Sequence, residues 1–216
     1  MDLDPFKSGK IWNFDGFKEI VMLEKHILSL VRNYAFNNSE KDDIHGFSHT
    51  ERVHELSIQI GKSLGANLFI LRISALLHDV GRVRERNSSL KENHADLSAK
   101  MASQFLNTLN FKISEKDKLN IIHCIRAHSF SNNIVLKTLE AKILSDADKL
   151  DALGAIGLYR TIGFTIKKKG GIDQVIEHLE NKILKLRDRL HLEKSREIAD
   201  ERKKIIWDFY NEIKHL

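Results

Sequence analysis

Ile73–Gly81 reads ISALLHDVG, an apolar stretch that ends on two adjacent polar residues, His78 and Asp79, before Val80 and Gly81. With Ile70 upstream, the apolar positions Ile70, Ile73, Leu76, Leu77 and Val80 recur at spacings of three and four, so the spacing predicts a helix buried over most of its surface. The same period continues outward on both sides. Upstream, Val53, Leu56, Ile60 and Leu64 mark an amphipathic helix; downstream, Ala95, Leu97, Met101, Phe105 and Leu109 mark a third. Ile113, Leu119, Ile122 and Ile125 suggest a fourth, and Leu139, Ile143, Ala147 and Leu150 a fifth. Ile176, Leu179, Ile183, Leu186 and Leu190 read as one late helix, and Ile198, Ile205, Phe209 and Ile213 as the last. Breaks are short and polar: Asn37-Asn38-Ser39, Gly65-Ala66-Asn67, Arg86-Asn87-Ser88-Ser89, Ser129–Asn133 and Gly170-Gly171. No segment alternates convincingly, and Pro5 is the only proline. The expectation is an all-α bundle with almost no sheet.

Bulk composition narrows the classes. The 216 residues are 42% hydrophobic and 30% charged, ordinary for a globular chain long enough to bury a core without staples. Cys124 is the single cysteine, so no intrachain disulfide can form. MDLDPFKSGK lacks the apolar core of a signal peptide, and no apolar run approaches the ~18 residues of a membrane span. A cytoplasmic location with no membrane partner is expected. The net charge of +5 and pI of about 9.2 suit an anionic partner such as a nucleotide, but on this evidence alone a solvated mixed-charge surface is the better reading. Lys167, Lys168 and Lys169 precede Gly170 and read as a helix end rather than a nucleic-acid patch. No nucleic-acid partner is expected, and the oligomeric state is left open.

Three places carry chemistry. His78 and Asp79, at the end of a buried helix, need partners or a ligand. Taken alone, the pair reads better as a satisfied structural histidine and an ion-paired aspartate. His49, in HGFSHTERVHEL, stands at a helix start behind a polar loop, with His45 and His54 as nearby competitors. SDADKLDALGA offers Asp146, Asp148 and Asp151. At ~100° per residue, Asp148 and Asp151 share a helix side, whereas Asp146 lies roughly 160° from Asp148 and is expected to cap or to face solvent. A carboxylate beside a buried stripe calls for a cation, so Asp148 is the candidate ligand and Asp151 its support. Two imidazoles and two carboxylates suit a divalent ion, with Mn, Fe, Co, Ni, Mg and Zn left open.

The segments SHTERV (48–53), ALLHDVG (75–81), AHSFS (127–131) and TLEAKILSDADKLDALGAIG (138–157) follow one another in this order. Together they resemble the HD-domain superfamily of metal-dependent phosphohydrolases, and more closely a small bacterial and archaeal group of HD-domain hydrolases. The resemblance runs from about residue 20 to 205. It implies an HD-domain helical bundle over 20–170, an N-terminal segment over 1–19, and C-terminal helices over 171–216 packed on the bundle. It makes His49, His78, Asp79 and Asp148 the metal ligands. It implies that Lys149 touches substrate phosphate, and Arg52 and Asp151 are placed with it in substrate binding. His94 and His128 match positions that line the substrate pocket in mononuclear relatives and help hold a second metal in binuclear ones. With Asp79 and Lys149 they are the catalytic candidates.

The activity implied is hydrolysis of a small phosphate ester or nucleotide by a water activated on the ion, manganese being one candidate metal. Nucleoside or deoxynucleoside triphosphate pyrophosphohydrolysis, or nucleotidase action, leads. Other readings on the same scaffold are a cyclic-nucleotide phosphodiesterase, a di-iron oxygenase that would need His94 and His128 as true ligands, and a non-catalytic nucleotide-binding module.

Overall fold

The computed structural model describes residues 14–88, 92–111 and 113–215. Residues 1–13 of the expected N-terminal segment, Pro5 among them, and Ser89 of an expected loop lie outside the described residues. Among the described residues the chain is all-α, and its only β feature is an isolated bridge between Glu40 and Gly46. The helices are α1 (Phe14–Asn38), α2 (Phe47–Leu64), α3 (Leu68–Leu77), α4 (Arg82–Asn87), α5 (His94–Thr108), α6 (Glu115–Ala127), α7 (Leu139–Leu150), α8 (Gly154–Lys167), α9 (Ile172–Asn181) and α10 (Glu193–Ile213).

Helix starts are set by short polar side chains. Asn67, Asn93, Ser114 and Thr138 accept from the first free amides of α3, α5, α6 and α7, as N-cap residues do. α2 ends at Gly65, whose φ of 68° lies in the left-handed region that glycine adopts without strain. α3 packs against α1, α2, α6 and α7, and its Leu71, Ile73 and Leu77 are fully buried. That central position explains the run of apolar residues around ISALLHDVG. One buried cluster extends from Ile27 on α1 to Ile213 on α10, with α10 lying on α7, α8 and α9. Among the described residues no helix is long and apolar enough to cross a membrane.

Several expectations need correction. The late helix through Leu190 stops at Asn181, and two 3-10 turns, Ile183–Lys185 and Arg187–Arg189, follow it. Ile183, Leu186 and Leu190 are nonetheless buried, at three- and four-residue spacings that tighter turns also satisfy. Arg86 and Asn87 belong to the short helix α4, not to a loop. Leu119 is 70% exposed; the buried side of α6 is Ile121, Cys124 and Ile125 instead. The periodic reading also passed over α8, whose sequence GAIGLYRTIGFTIK carries three glycines and buries only Gly157, Thr161 and Thr165.

Candidate metal centre and cleft

The chemistry-bearing residues stand at helix ends that converge. His78 is the C-cap of α3 and His128 the C-cap of α6; Asp148 is in the last turn of α7 and Asp151 is its C-cap. His49 is in the first turn of α2, and His94 opens α5. Gly81 allows the turn after α3 to press against α5: a Cβ there would stand 2.5 Å from the Ser98 amide nitrogen and 2.7 Å from the His94 carbonyl oxygen. The Gly81 amide donates to Ser98 Oγ at 2.9 Å.

Asp79 is the hub. His49 Nε2 and His78 Nε2 lie 3.6 and 3.5 Å from its Oδ2, and His94 Nε2 and His128 Nε2 lie 3.7 and 3.6 Å from its Oδ1. Asp148 Oδ1 is 3.4 Å from His49 Nε2. The four imidazoles are held from behind. Nδ1 of His49 donates to Asp151 at 2.7 Å, Nδ1 of His78 to the Ala75 carbonyl at 2.7 Å, and Nδ1 of His128 to the Ile125 carbonyl at 2.7 Å. Glu85 accepts from the His94 amide at 2.9 Å and lies 3.4 Å from its Nδ1. Each ring therefore turns Nε2 inward, the arrangement in which the back hydrogen bond fixes tautomer and aim.

Four of the inward atoms lack partners among the described residues. His78 Nε2, His94 Nε2, His128 Nε2 and Asp79 Oδ1 are buried with no hydrogen bond among the described residues. Separations of 3.5–3.7 Å are too long for good hydrogen bonds between these groups. They suit donors gathered around a common cation, because atoms bound at ~2.0–2.2 Å to one ion stand roughly 3–3.6 Å from each other. The ligand atoms of His49, His78 and Asp79 all lie within 4.8 Å of one another, as do those of Asp79, His94 and His128. Asp148 meets this set through its 3.4 Å approach to His49 Nε2.

Protonation agrees. Burial alone would raise the Asp79 carboxyl, but Arg82 and the surrounding histidines outweigh it and hold it well below the usual carboxylate range. Burial pushes His78 down to about 4, and burial together with Arg82 lowers His94. His49 moves the other way: burial opposes its charged form, but Asp148 and Asp151 outweigh that and raise it. Neutral imidazoles such as those of His78 and His94, beside an ionised carboxylate, are the ligand state that a divalent ion requires.

Above this centre lies a cleft of about 330 Å³. Its cationic lining is Arg82, Lys149, Arg160, Lys182 and Arg189. Lys149 Nζ donates to the Ser145 carbonyl and hydroxyl at 2.9 and 2.5 Å.

A family model described as HD domain matches residues 46–153, half of the chain. The chain belongs to the HD domain family. The YpgQ protein of Bacillus subtilis (strain 168) is 28% identical over 177 residues, which cover 78% of this chain and 82% of YpgQ. The crystal structure of YpgQ in complex with ADP matches at a TM-score of 0.68, with 28% identity, and covers 87% of this chain and 96% of that one. A predicted HD-superfamily hydrolase from an uncultured Thermotogales bacterium matches at a TM-score of 0.62 and 29% identity, covering 87% of this chain and 89% of its own. Another, from Bacillus thuringiensis, matches at 0.68 and 27%, covering 88% and 95%. The family and these relatives support a hydrolase.

Within this HD domain, His49, His78, Asp79, Asp148, His94 and His128 come together, and Lys149 lines the cleft above them. Arg52 and Asp151 do not line it. Arg52 binds Asp151 through Nε at 2.7 Å and Nη2 at 3.0 Å, and Arg160 Nη1 reaches the same carboxylate at 2.5 Å. Asp151 is thus saturated by His49 and two arginines and is 2% exposed. Asp146 does not face solvent: fully buried, it accepts from the amides of His191 and Leu192, just ahead of α10.

Sequence reasoning missed Arg82, Arg160, Lys182 and Arg189. Arg82 was within reach, since it follows Asp79 by three residues and pairs with it. The other three come from α8 and the segment after α9, and no local pattern links them to the HD motif. His45, treated only as a competitor of His49, lines the cleft, and burial with Arg82 and Arg160 lowers it to about 3.

Proposed function

We propose that this HD-family chain is a divalent-metal-dependent phosphohydrolase that acts on nucleotides. The observation carrying the reading is the set of inward, unpartnered ligand atoms on His78, His94, His128 and Asp79 beneath a cleft lined by five cations. His49, His78, Asp79 and Asp148 would hold the ion, and Asp151 keeps His49 aimed by accepting a hydrogen bond from its Nδ1. Asp79 with His94 and His128 offers a second position alongside. A bound ion of this kind supplies Lewis acidity and lowers the pKa of a coordinated water from about 15.7 to near 7.

The remaining work falls to the protein. Lys149 and Arg160 face the cleft and offset phosphate charge, a contribution that matters most where water is excluded. Lys149 is held against Ser145, so little reorganisation is needed when phosphate arrives. His94, kept neutral by burial and Arg82, is able to accept a proton at Nε2. Phosphoryl transfer needs positioning and charge stabilisation more than a protein nucleophile. ADP in the YpgQ structure supports a nucleotide ligand for a relative that covers most of this chain.

The test is metal analysis beside a screen for phosphate and pyrophosphate release from nucleoside mono-, di- and triphosphates, with each candidate metal supplied in turn. Metal-dependent release that Asp79→Ala abolishes is expected. No release with any ion would overturn the reading.

A further inference from the structure

We propose that Phe130 is a stacking platform for the nucleobase of the ligand, with Arg189 as its backing. This rests on the nucleotide reading above and adds a subsite that the phosphate chemistry does not require. Phe130 lies in the 3-10 turn Phe130–Asn132, two residues beyond His128, and lines the cleft over the metal centre. Its ring is 69% exposed. Of the exposed large hydrophobic residues among the described ones, Phe130 alone lines that cleft.

The turn holding it is pinned. Asn132 Nδ2 donates to the Arg126 carbonyl at 2.9 Å, and Asn93 Nδ2 donates to Ser131 Oγ at 2.8 Å. The Ser129 and Ser131 hydroxyls share a hydrogen bond of 2.9 Å. Asn133 closes the turn with φ of 49°, a left-handed conformation that asparagine tolerates better than most residues. An aromatic ring is thus held at the cleft mouth without apolar cover.

Arg189 comes from the 3-10 turn Arg187–Arg189 and lines the same cleft. Its guanidinium carbon is 5.1 Å from the Phe130 ring centroid, within cation–π range, and no carboxylate pairs with it among the described residues. It fixes one face of the ring, and the exposure leaves area for a flat ligand. Lys182, with no ion pair among the described residues, and Lys149 line the same cleft as Phe130 and the metal ligands His49, His94, His128 and Asp148. A planar, π-faced group joined to a polyanion matches a cleft that combines an exposed aromatic ring, cations and a metal centre. Stacking on an aromatic side chain tolerates any base, so the subsite recognises that a base is present rather than which one.

The experiment is calorimetric titration of ADP and of inorganic pyrophosphate into the full chain with Mn²⁺, for wild type, Phe130→Ala and Phe130→Trp, with melting curves as a folding check. The ring is exposed, so folding should be unaffected. Wild type should bind ADP more tightly than pyrophosphate. Phe130→Ala should weaken ADP by about 10-fold, the scale of losing one base–aromatic stack, and leave pyrophosphate within about two-fold. Phe130→Trp should keep the ADP affinity. Equal wild-type affinities, no ADP binding, or an alanine effect that is absent or common to both ligands would overturn the platform. Binding and catalysis separate the two readings. If ADP binds through Phe130 but no phosphate bond is cleaved with any metal, the hydrolase reading falls and the platform stands. If triphosphates are cleaved but Phe130→Ala leaves ADP affinity intact, the platform falls and the hydrolase stands.

Discussion

Asp79 receives four imidazole nitrogens and an arginine, whereas Lys149 holds only Ser145 and faces the cleft. Their variants should therefore fail differently. Asp79→Ala is expected to lose bound metal and all activity, read by elemental analysis and initial rates. Lys149→Ala should keep the metal and raise KM by about 10-fold, the worth of one charge-assisted contact. Metal loss from Lys149→Ala would make it part of the centre. Asp146 presents a third case. Helical phase turns it away from the histidines, and it meets the amides of His191 and Leu192 instead. Asp146→Ala should cost about 2–4 kcal/mol, because buried amides lose a charged acceptor. The urea midpoint should fall while activity per folded molecule holds. A lost activity with an unchanged midpoint would assign Asp146 to catalysis.

At the scale of elements, the site is a meeting of helix ends, and its legibility follows from that. His78 stands out in the sequence because it closes an apolar run, and Asp148 because helical phase distinguishes it from Asp146, whereas His128 was pointed to by the family resemblance. α8 was hard to read for a physical reason: its buried positions are Gly157, Thr161 and Thr165, while Leu158 and Ile162 pack on the core only partly buried, so the apolar stripe is weak. Arg160, Lys182 and Arg189 reach the cleft only through the path of α8 and the turns after α9, which no window of sequence encodes. Gly81 is where one element sets another. Its missing Cβ lets the turn carrying Asp79 touch the backbone of α5, which carries His94. Those contacts are backbone atoms and cannot swing aside, so Gly81→Ala must push α5 away. A loss of about 1–3 kcal/mol is expected, the usual cost of overpacking, with weakened metal binding. A melting curve and metal titration test this, and unchanged values for both would show that α5 slides without consequence.

Across the whole molecule, the buried cluster joins α1 to α10, and Cys124 sits inside it with no exposed surface. That single thiol gives a handle on global stability. Burial pushes it up to about 12, with Thr138 and Ser74 offsetting only part of the effect. In the unfolded chain a thiol ionises near ~8.5. Between those values the unfolded state has released a proton that the folded state keeps, so unfolding binds fewer protons and stability falls as pH rises. The contribution is fully present below about 8.5 and is lost as pH climbs toward 12. Tyr34, raised by burial, acts in the same direction at higher pH. Urea unfolding between about pH 9 and 10.5 should therefore show stability dropping by up to about 1.4 kcal/mol per pH unit from the thiol alone. Cys124→Ala removes that proton from both states, so its slope should be shallower by about 1 kcal/mol per pH unit, whatever the small cavity does to its level. The same burial predicts that a thiol reagent at pH 8 modifies the native chain only as fast as it opens, and the urea-unfolded chain at once. Parallel slopes for wild type and Cys124→Ala, or immediate native labelling, would mean that Cys124 is reached by water and that the core between α6 and α7 is looser than its packing implies.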